Sequence, residues 1–135
     1  MRLLFIISCL MVSVFAQAQT QKEFLSVQQA FPYSQSVAGN ELIISFDTAP
    51  GYYLYQKRLT FKSASPELTL GEPIFSVTAQ QKQDPYFGQV GVFRKPLTVR
   101  VPFEGTGKAK VRFQGCADDG LCYMPQTKSV ALQTL

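Results

Sequence analysis

The chemistry available to this chain is concentrated in one stretch, Gln114-Gly-Cys-Ala-Asp-Asp-Gly-Leu-Cys-Tyr-Met-Pro125, where five residues separate Cys116 from Cys122. The third cysteine, Cys9, lies in an apolar leader, so removing that leader leaves one pair and nothing over. In an oxidising compartment such a pair is expected to close a disulfide. Gly115 and Gly120 permit the tight backbone that a small ring demands. Closing about seven residues contributes roughly 2 kcal/mol through loop entropy, against about 4 or more for a long loop. The ring also joins no distant strands, so it is a weak staple that can open without unfolding the domain. Spacing alone fits either a redox couple or a small structural disulfide.

Composition removes several other chemistries. The chain has no histidine, and two cysteines without histidine cannot close a four-ligand zinc site. Ser-His, Cys-His and haem-histidine chemistry are excluded on the same ground. No Cys-x-x-Cys opens a helix, so the usual devices for generating a thiolate are missing. Asp118 and Asp119, inside the ring, disfavour a thiolate through like charge, unless they merely form a solvated turn. The expected reagent is a slow, selective thiol that reacts inside a docked complex and needs no bound cofactor. Basic residues outnumber acidic ones 13 to 9, but they are scattered, with no cluster beyond Lys57-Arg58 and Arg94-Lys95. Nucleic-acid binding needs a concentrated basic face, and none is present.

The elements that must position the pair follow a leader. Met1-Arg2 gives a short positive start, Leu3 to Phe15 is an almost unbroken apolar run, and Ala16-Gln17-Ala18 has the small-x-small cleavage pattern. Residues 1–18 are therefore expected to be a cleaved signal peptide, because the run is shorter than the roughly 20 residues that span a bilayer. Residues 19–135, 117 in all, form one domain of ordinary size. Short apolar or alternating segments recur along it: Leu42–Phe46, Tyr52–Tyr55, Arg58–Lys62, Leu68–Leu70, Ile74–Val77, Leu97–Val101, Ala109–Phe113 and Ser129–Leu132. Turn signals separate them, including Gly105-Thr-Gly107 between the sixth and seventh. Gln80 to Gly91 reads as a long polar loop interrupted by Tyr86-Phe87, and only Lys22–Ala30 has a helical rhythm. Such spacing predicts an all-β, immunoglobulin-like antiparallel β-sandwich, with a small barrel as the other candidate.

Gly115-Cys-Ala-Asp-x-Gly-x-Cys-Tyr-x-Pro125 resembles the active-site loop of the amino-terminal periplasmic domain of DsbD, the thiol:disulfide interchange protein. Phe24-Leu through Ala30-Phe31, Pro50-Gly-Tyr-Tyr-Leu-Tyr55 and Asp84-Pro-Tyr-Phe-Gly88 resemble further motifs of that domain, in the same order. The resemblance runs from about Phe24 to Val130. It implies an immunoglobulin-like sandwich whose redox couple is Cys116 and Cys122, with Cys122 forming the mixed disulfide. Tyr86, with Phe87 beside it, would sit on a cap loop covering the sulfurs. Tyr53, Tyr55 and Tyr123 would line the site, and Asp84 and Asp118 would supply carboxylates near the sulfurs. The implied activity is that of a periplasmic protein-disulfide reductase module. Its partners would be thioredoxin-fold proteins: a membrane-linked electron donor, and a disulfide isomerase or cytochrome c maturation thioredoxin as acceptor. Pro85 departs from the pattern, standing where an acidic residue often follows the cap aspartate. The sequence ends at Leu135 without the membrane segments and carboxy-terminal thioredoxin domain of full-length DsbD. It is therefore expected to be either a free-standing domain or part of a longer gene product, with electrons supplied by a separate domain. The rival reading is a non-enzymatic immunoglobulin-like binding domain with a structural disulfide. On it, the tyrosines of 52–55 are ordinary strand aromatics, although adjacent aromatics at 86 and 87 still need somewhere to pack.

Overall fold

The computed structural model describes residues 23–134, and the expected signal peptide lies outside the described residues. The fold is an immunoglobulin-like antiparallel β-sandwich. One short helix, α1 (Val27–Ala30), precedes β1 (Tyr33–Ala38), β2 (Glu41–Phe46) and β3 (Tyr52–Tyr55). Next come β4 (Thr60–Ser63), β5 (Leu68–Leu70), β6 (Ile74–Phe75), β7 (Gln80–Asp84) and β8 (Gly88–Phe93). The chain closes with β9 (Leu97–Phe113), β10 (Gly115–Ala117) and β11 (Gln126–Gln133). One sheet has the order β1-β2-β9-β11, with β4, β5 and β6 also pairing with β9; the other has the order β10-β3-β8-β7. Among the described residues no helix is long and apolar enough to cross a membrane.

The main core is built from alternating residues of the first sheet: Leu42, Ile44 and Phe46 of β2 with Leu97, Val99, Val101, Phe103, Val111 and Phe113 of β9. Two expectations change around it. Gly105-Thr-Gly107 does not reverse the chain; β9 runs through it and changes partners there, from β2 to β11. A Cβ on Gly105 would lie 1.8 Å from the Glu67 carbonyl oxygen, and its φ is +93°, so glycine is required for a close approach rather than for a hairpin. The helical rhythm over Lys22–Ala30 yields only one turn. Ser26 and Gln29 form a capping box at its start, and Pro32 disfavours helical geometry at Phe31, which ends it.

The polar loop expected over Gln80–Gly91 is instead a hairpin. β7 pairs with β8 from Gln80 opposite Val92 to Asp84 opposite Gly88. A three-residue tip, Pro85-Tyr86-Phe87, joins them, and Gly88 closes it with φ +72°. Three-residue hairpin loops are commonly a type I turn followed by a left-handed residue, and proline suits the first central position of such a turn. β7 is polar because it is an edge strand facing water, which hides it from a reading based on apolar alternation.

Candidate functional site

β3 is the platform of the site. All four of its residues are buried, whereas a sandwich strand ordinarily buries one face. Tyr52 and Leu54 point into the main core, and Tyr53 and Tyr55 form a second small cluster with Val92 and Cys116, joined by partly buried Val90 and Cys122. The period of two therefore separates a structural face from a chemical one. β10 pairs with β3 so that Cys116 lies opposite Tyr53, which puts the sulfur on the same side as the two tyrosines.

Cys116 thus lies on a strand and not in a loop. After it the chain turns through Asp118, Asp119 and Gly120 (φ +104°) and returns antiparallel, bringing Cys122 opposite Cys116. The Ala117 N–H donates to the Leu121 carbonyl at 2.7 Å, and the Tyr123 N–H to the Gly115 carbonyl at 3.0 Å. These bonds flank the cysteine pair, which occupies the closer, non-hydrogen-bonded kind of position; its Cα atoms are 4.0 Å apart and the sulfurs are bonded. Cys116 is fully buried, while Cys122 is partly exposed. Gly115 is fixed by crowding: a Cβ there would lie 2.3 Å from the Phe31 ring and 2.4 Å from the Tyr53 carbonyl oxygen.

Asp84 is the second centre. It is 2% exposed and accepts four hydrogen bonds. The Tyr55 and Tyr53 hydroxyls donate to Oδ2 at 2.7 and 2.9 Å, and the Tyr86 and Phe87 N–H groups donate to Oδ1 at 2.8 and 3.0 Å. Burial pushes its carboxyl up, but these donors, led by the Tyr55 hydroxyl, outweigh it and hold the group below the ordinary aspartate value. Burial first, and then the bonds to Asp84 and Tyr53, hold the Tyr55 phenol well above the ordinary tyrosine value. The Tyr55 oxygen lies 3.2 Å from Cys116 Sγ and 3.9 Å from Cys122 Sγ. Since its single proton is committed to Asp84, it presents lone pairs to the sulfurs.

The hairpin tip reaches over this cluster. The Phe87 ring meets the Tyr55 ring edge to face at 5.2 Å, and the Tyr86 hydroxyl donates to the Gly120 carbonyl at 3.5 Å. Both aromatics remain largely exposed, as do Leu121 and Met124 beside Cys122.

Two expected site residues face elsewhere. Asp118 binds Arg94 through both oxygens, at 2.7 and 2.8 Å, and that ion pair holds its carboxyl below the ordinary range. Its charge is therefore compensated within the protein. Tyr123 packs against Phe31 and Tyr52 and donates to the Leu25 carbonyl, fastening the leading segment. Burial, then its bond to Tyr52, pushes its phenol up to about 12. Arg94 and Arg58 were not anticipated. Arg94 pairs across 24 residues of sequence and also lies 5.2 Å from the Tyr53 ring, a contact that no local pattern signals. Arg58 was legible only as half of a basic doublet and as the start of the expected strand Arg58–Lys62; it lies instead in a 3-10 turn over Gln56–Arg58, and the strand begins at Thr60.

Comparison with known proteins agrees with this arrangement. The family model described as "Thiol:disulfide interchange protein DsbD, N-terminal" matches residues 21–134. A DsbD of Pseudomonas fluorescens is 39% identical over 138 residues, covering 98% of this chain and 23% of that protein. One from Vibrio cholerae is 36% identical, covering 84% of this chain and 19% of that protein. The chain thus spans about a quarter or less of the length of these curated relatives. The DsbD N-terminal domain of Neisseria meningitidis in its reduced form superposes with a TM-score of 0.71 at 32% identity, covering 81% of this chain and 89% of that one. The same domain in complex with the PilB N-terminal domain gives 0.68 at 30%, covering 82% and 88%.

Proposed function

The chain belongs to the DsbD amino-terminal domain family, and on that premise we propose that it relays electrons in the periplasm through the Cys116–Cys122 couple. It takes them from one thioredoxin-fold protein and passes them to another. The observation that carries this reading is the asymmetry of the pair: Cys116 is fully buried with the Tyr55 oxygen 3.2 Å from its sulfur, while Cys122 is partly exposed.

In the reduced protein the Tyr55 oxygen accepts a thiol S–H while its own O–H stays hydrogen-bonded to the Asp84 carboxylate, so the resting site holds thiols and is inert until a partner docks. Docking lifts Phe87 and opens Cys122. The thiol proton moves to Tyr55 as the Tyr55 proton moves to Asp84, leaving a thiolate. Cys122 Sγ attacks one sulfur of the partner disulfide, forming the mixed disulfide and expelling the other partner sulfur as a thiolate. The expelled partner thiolate takes the proton held on Asp84, which frees the Tyr55–Asp84 pair to accept the Cys116 proton. Cys116 Sγ then attacks Cys122 Sγ, and the protein disulfide closes. The second partner sulfur leaves as a thiolate that takes that proton, so the partner carries away two electrons and two protons. Accepting electrons is the same sequence reversed. That the Neisseria meningitidis domain is known both in reduced form and in complex with the PilB N-terminal domain supports a couple that opens and a surface that docks a second protein. Tyr53, Tyr55 and Asp84 act as the proton-holding group, Tyr86 and Phe87 as the cap, and Asp118 as the anchor that fixes the ring to Arg94.

Single-cysteine variants test the roles. Cys116→Ala should accumulate a mixed disulfide with thioredoxin-fold proteins of the envelope, since no resolving thiol remains, and Cys122→Ala should trap far less. Reversed yields on a non-reducing gel would reverse the roles. Trapping by neither variant would leave a structural disulfide in a binding domain.

A further inference from the structure

Beside the cap lies a groove of about 160 Å³ whose lining includes Tyr55, Phe87, Val90 and Gly91 together with Lys57 and Arg58. Both cations are exposed. The ion pairs Arg94–Asp118 and Arg100–Glu41 involve neither of them, and the nearby carboxylate Asp84 is buried and bound to four donors. The Arg58 guanidinium instead rests 4.7 Å from the centroid of the Phe87 ring. Phe87, the residue lying on Tyr55, is therefore held both by that ring and by a cation. A phenyl face is a weak partner for an exposed guanidinium, and a carboxylate is a stronger, bidentate one.

From this geometry we infer that Arg58 is an electrostatic latch on the cap, and that the groove takes an acidic side chain flanking the redox disulfide of the docking protein. The incoming carboxylate draws Arg58 off Phe87, Lys57 adds attraction, and the tip is freed as the two disulfide sites meet. The idea rests on the exchange reading above and adds partner selection to it. A thioredoxin-fold protein with acidic residues around its cysteines is favoured over one with basic residues there.

The test uses the reduced full chain and two oxidised Cys-Gly-Pro-Cys peptides that differ only in flanking Glu or Lys. The Glu peptide should oxidise the protein about tenfold faster at low salt, a ratio that falls toward one near 1 M salt. Arg58→Gln should cut the ratio below about threefold, and should speed alkylation by neutral iodoacetamide about two- to fivefold as the latch is lost. Lys110→Gln, at an exposed position of β9, removes the same charge elsewhere and should change neither reading. A ratio near one in the parent protein, or the same ratio in Arg58→Gln, overturns the inference, as does an equal drop in Lys110→Gln. An iodoacetamide rate unmoved by Arg58→Gln overturns the latch. Faster exchange with oxidised glutathione than with the Glu peptide would assign the groove to a small acidic thiol and overturn the protein-partner form. If neither peptide oxidises the protein, the exchange reading itself fails and takes this one with it.

Discussion

Asp84 joins the two halves of the site through its two oxygens, one shaping the hairpin tip and the other ordering the tyrosines beside the sulfurs. Its carboxyl is held below the ordinary aspartate value, so its contribution to stability is fully present above that ordinary value. That contribution is lost as pH falls through the depressed folded value. Asp84→Asn keeps the shape but replaces an acceptor with a donor facing two hydroxyls, and should cost about 2 kcal/mol at neutral pH. Its melting temperature should also depend less on pH across the acid range. A variant as pH-sensitive as the parent would mean that other carboxylates set the acid limb. Asp118 is one such group, and it too is depressed by its partner, Arg94.

At the scale of elements, the hairpin β7–β8 is both the part that sequence reading missed and the part that makes the site more than a disulfide. Gln80-Gln-Lys-Gln-Asp84 carries no apolar alternation because its outer side meets water, so its strand character comes from pairing with β8 rather than from its own residues. By contrast, Tyr52-Tyr-Leu-Tyr55 was legible as a strand, and its unbroken aromatic run matches burial on both faces. The cysteine pair was legible from composition and spacing. What lay beyond reach was which groups meet it, since Tyr55, Asp84 and Cys116 come together from three separate strands. Between the tip aromatics, sequence reading put Tyr86 foremost, whereas it is Phe87 that lies on Tyr55. Replacing both with alanine should speed alkylation of the reduced protein by a small neutral reagent several-fold. The fold should barely change, because exposed loop tips carry little core packing. An unchanged rate would show that the tip does not shield the thiols.

For the molecule as a whole, the question is whether redox chemistry can run without disturbing the scaffold. The ring hangs on β10, a three-residue edge strand that pairs with β3, whereas the main core belongs largely to β2, β9 and β11 in the other sheet. Opening the disulfide removes no buried side chain and no pairing within that larger sheet. It frees a loop of about seven residues in the unfolded chain, which lowers stability by roughly 2 kcal/mol. For a domain of this size that corresponds to a melting temperature about 10 °C lower. Reduction should therefore leave the far-ultraviolet circular dichroism at 25 °C unchanged and preserve a single cooperative melt displaced by about that amount. Thiol–disulfide exchange needs this separation, since a carrier that unfolded in one redox state would lose the surface on which its next partner must dock. Loss of the β signal on reduction under native conditions would instead mean that the disulfide is a staple, and the relay reading would have to be abandoned.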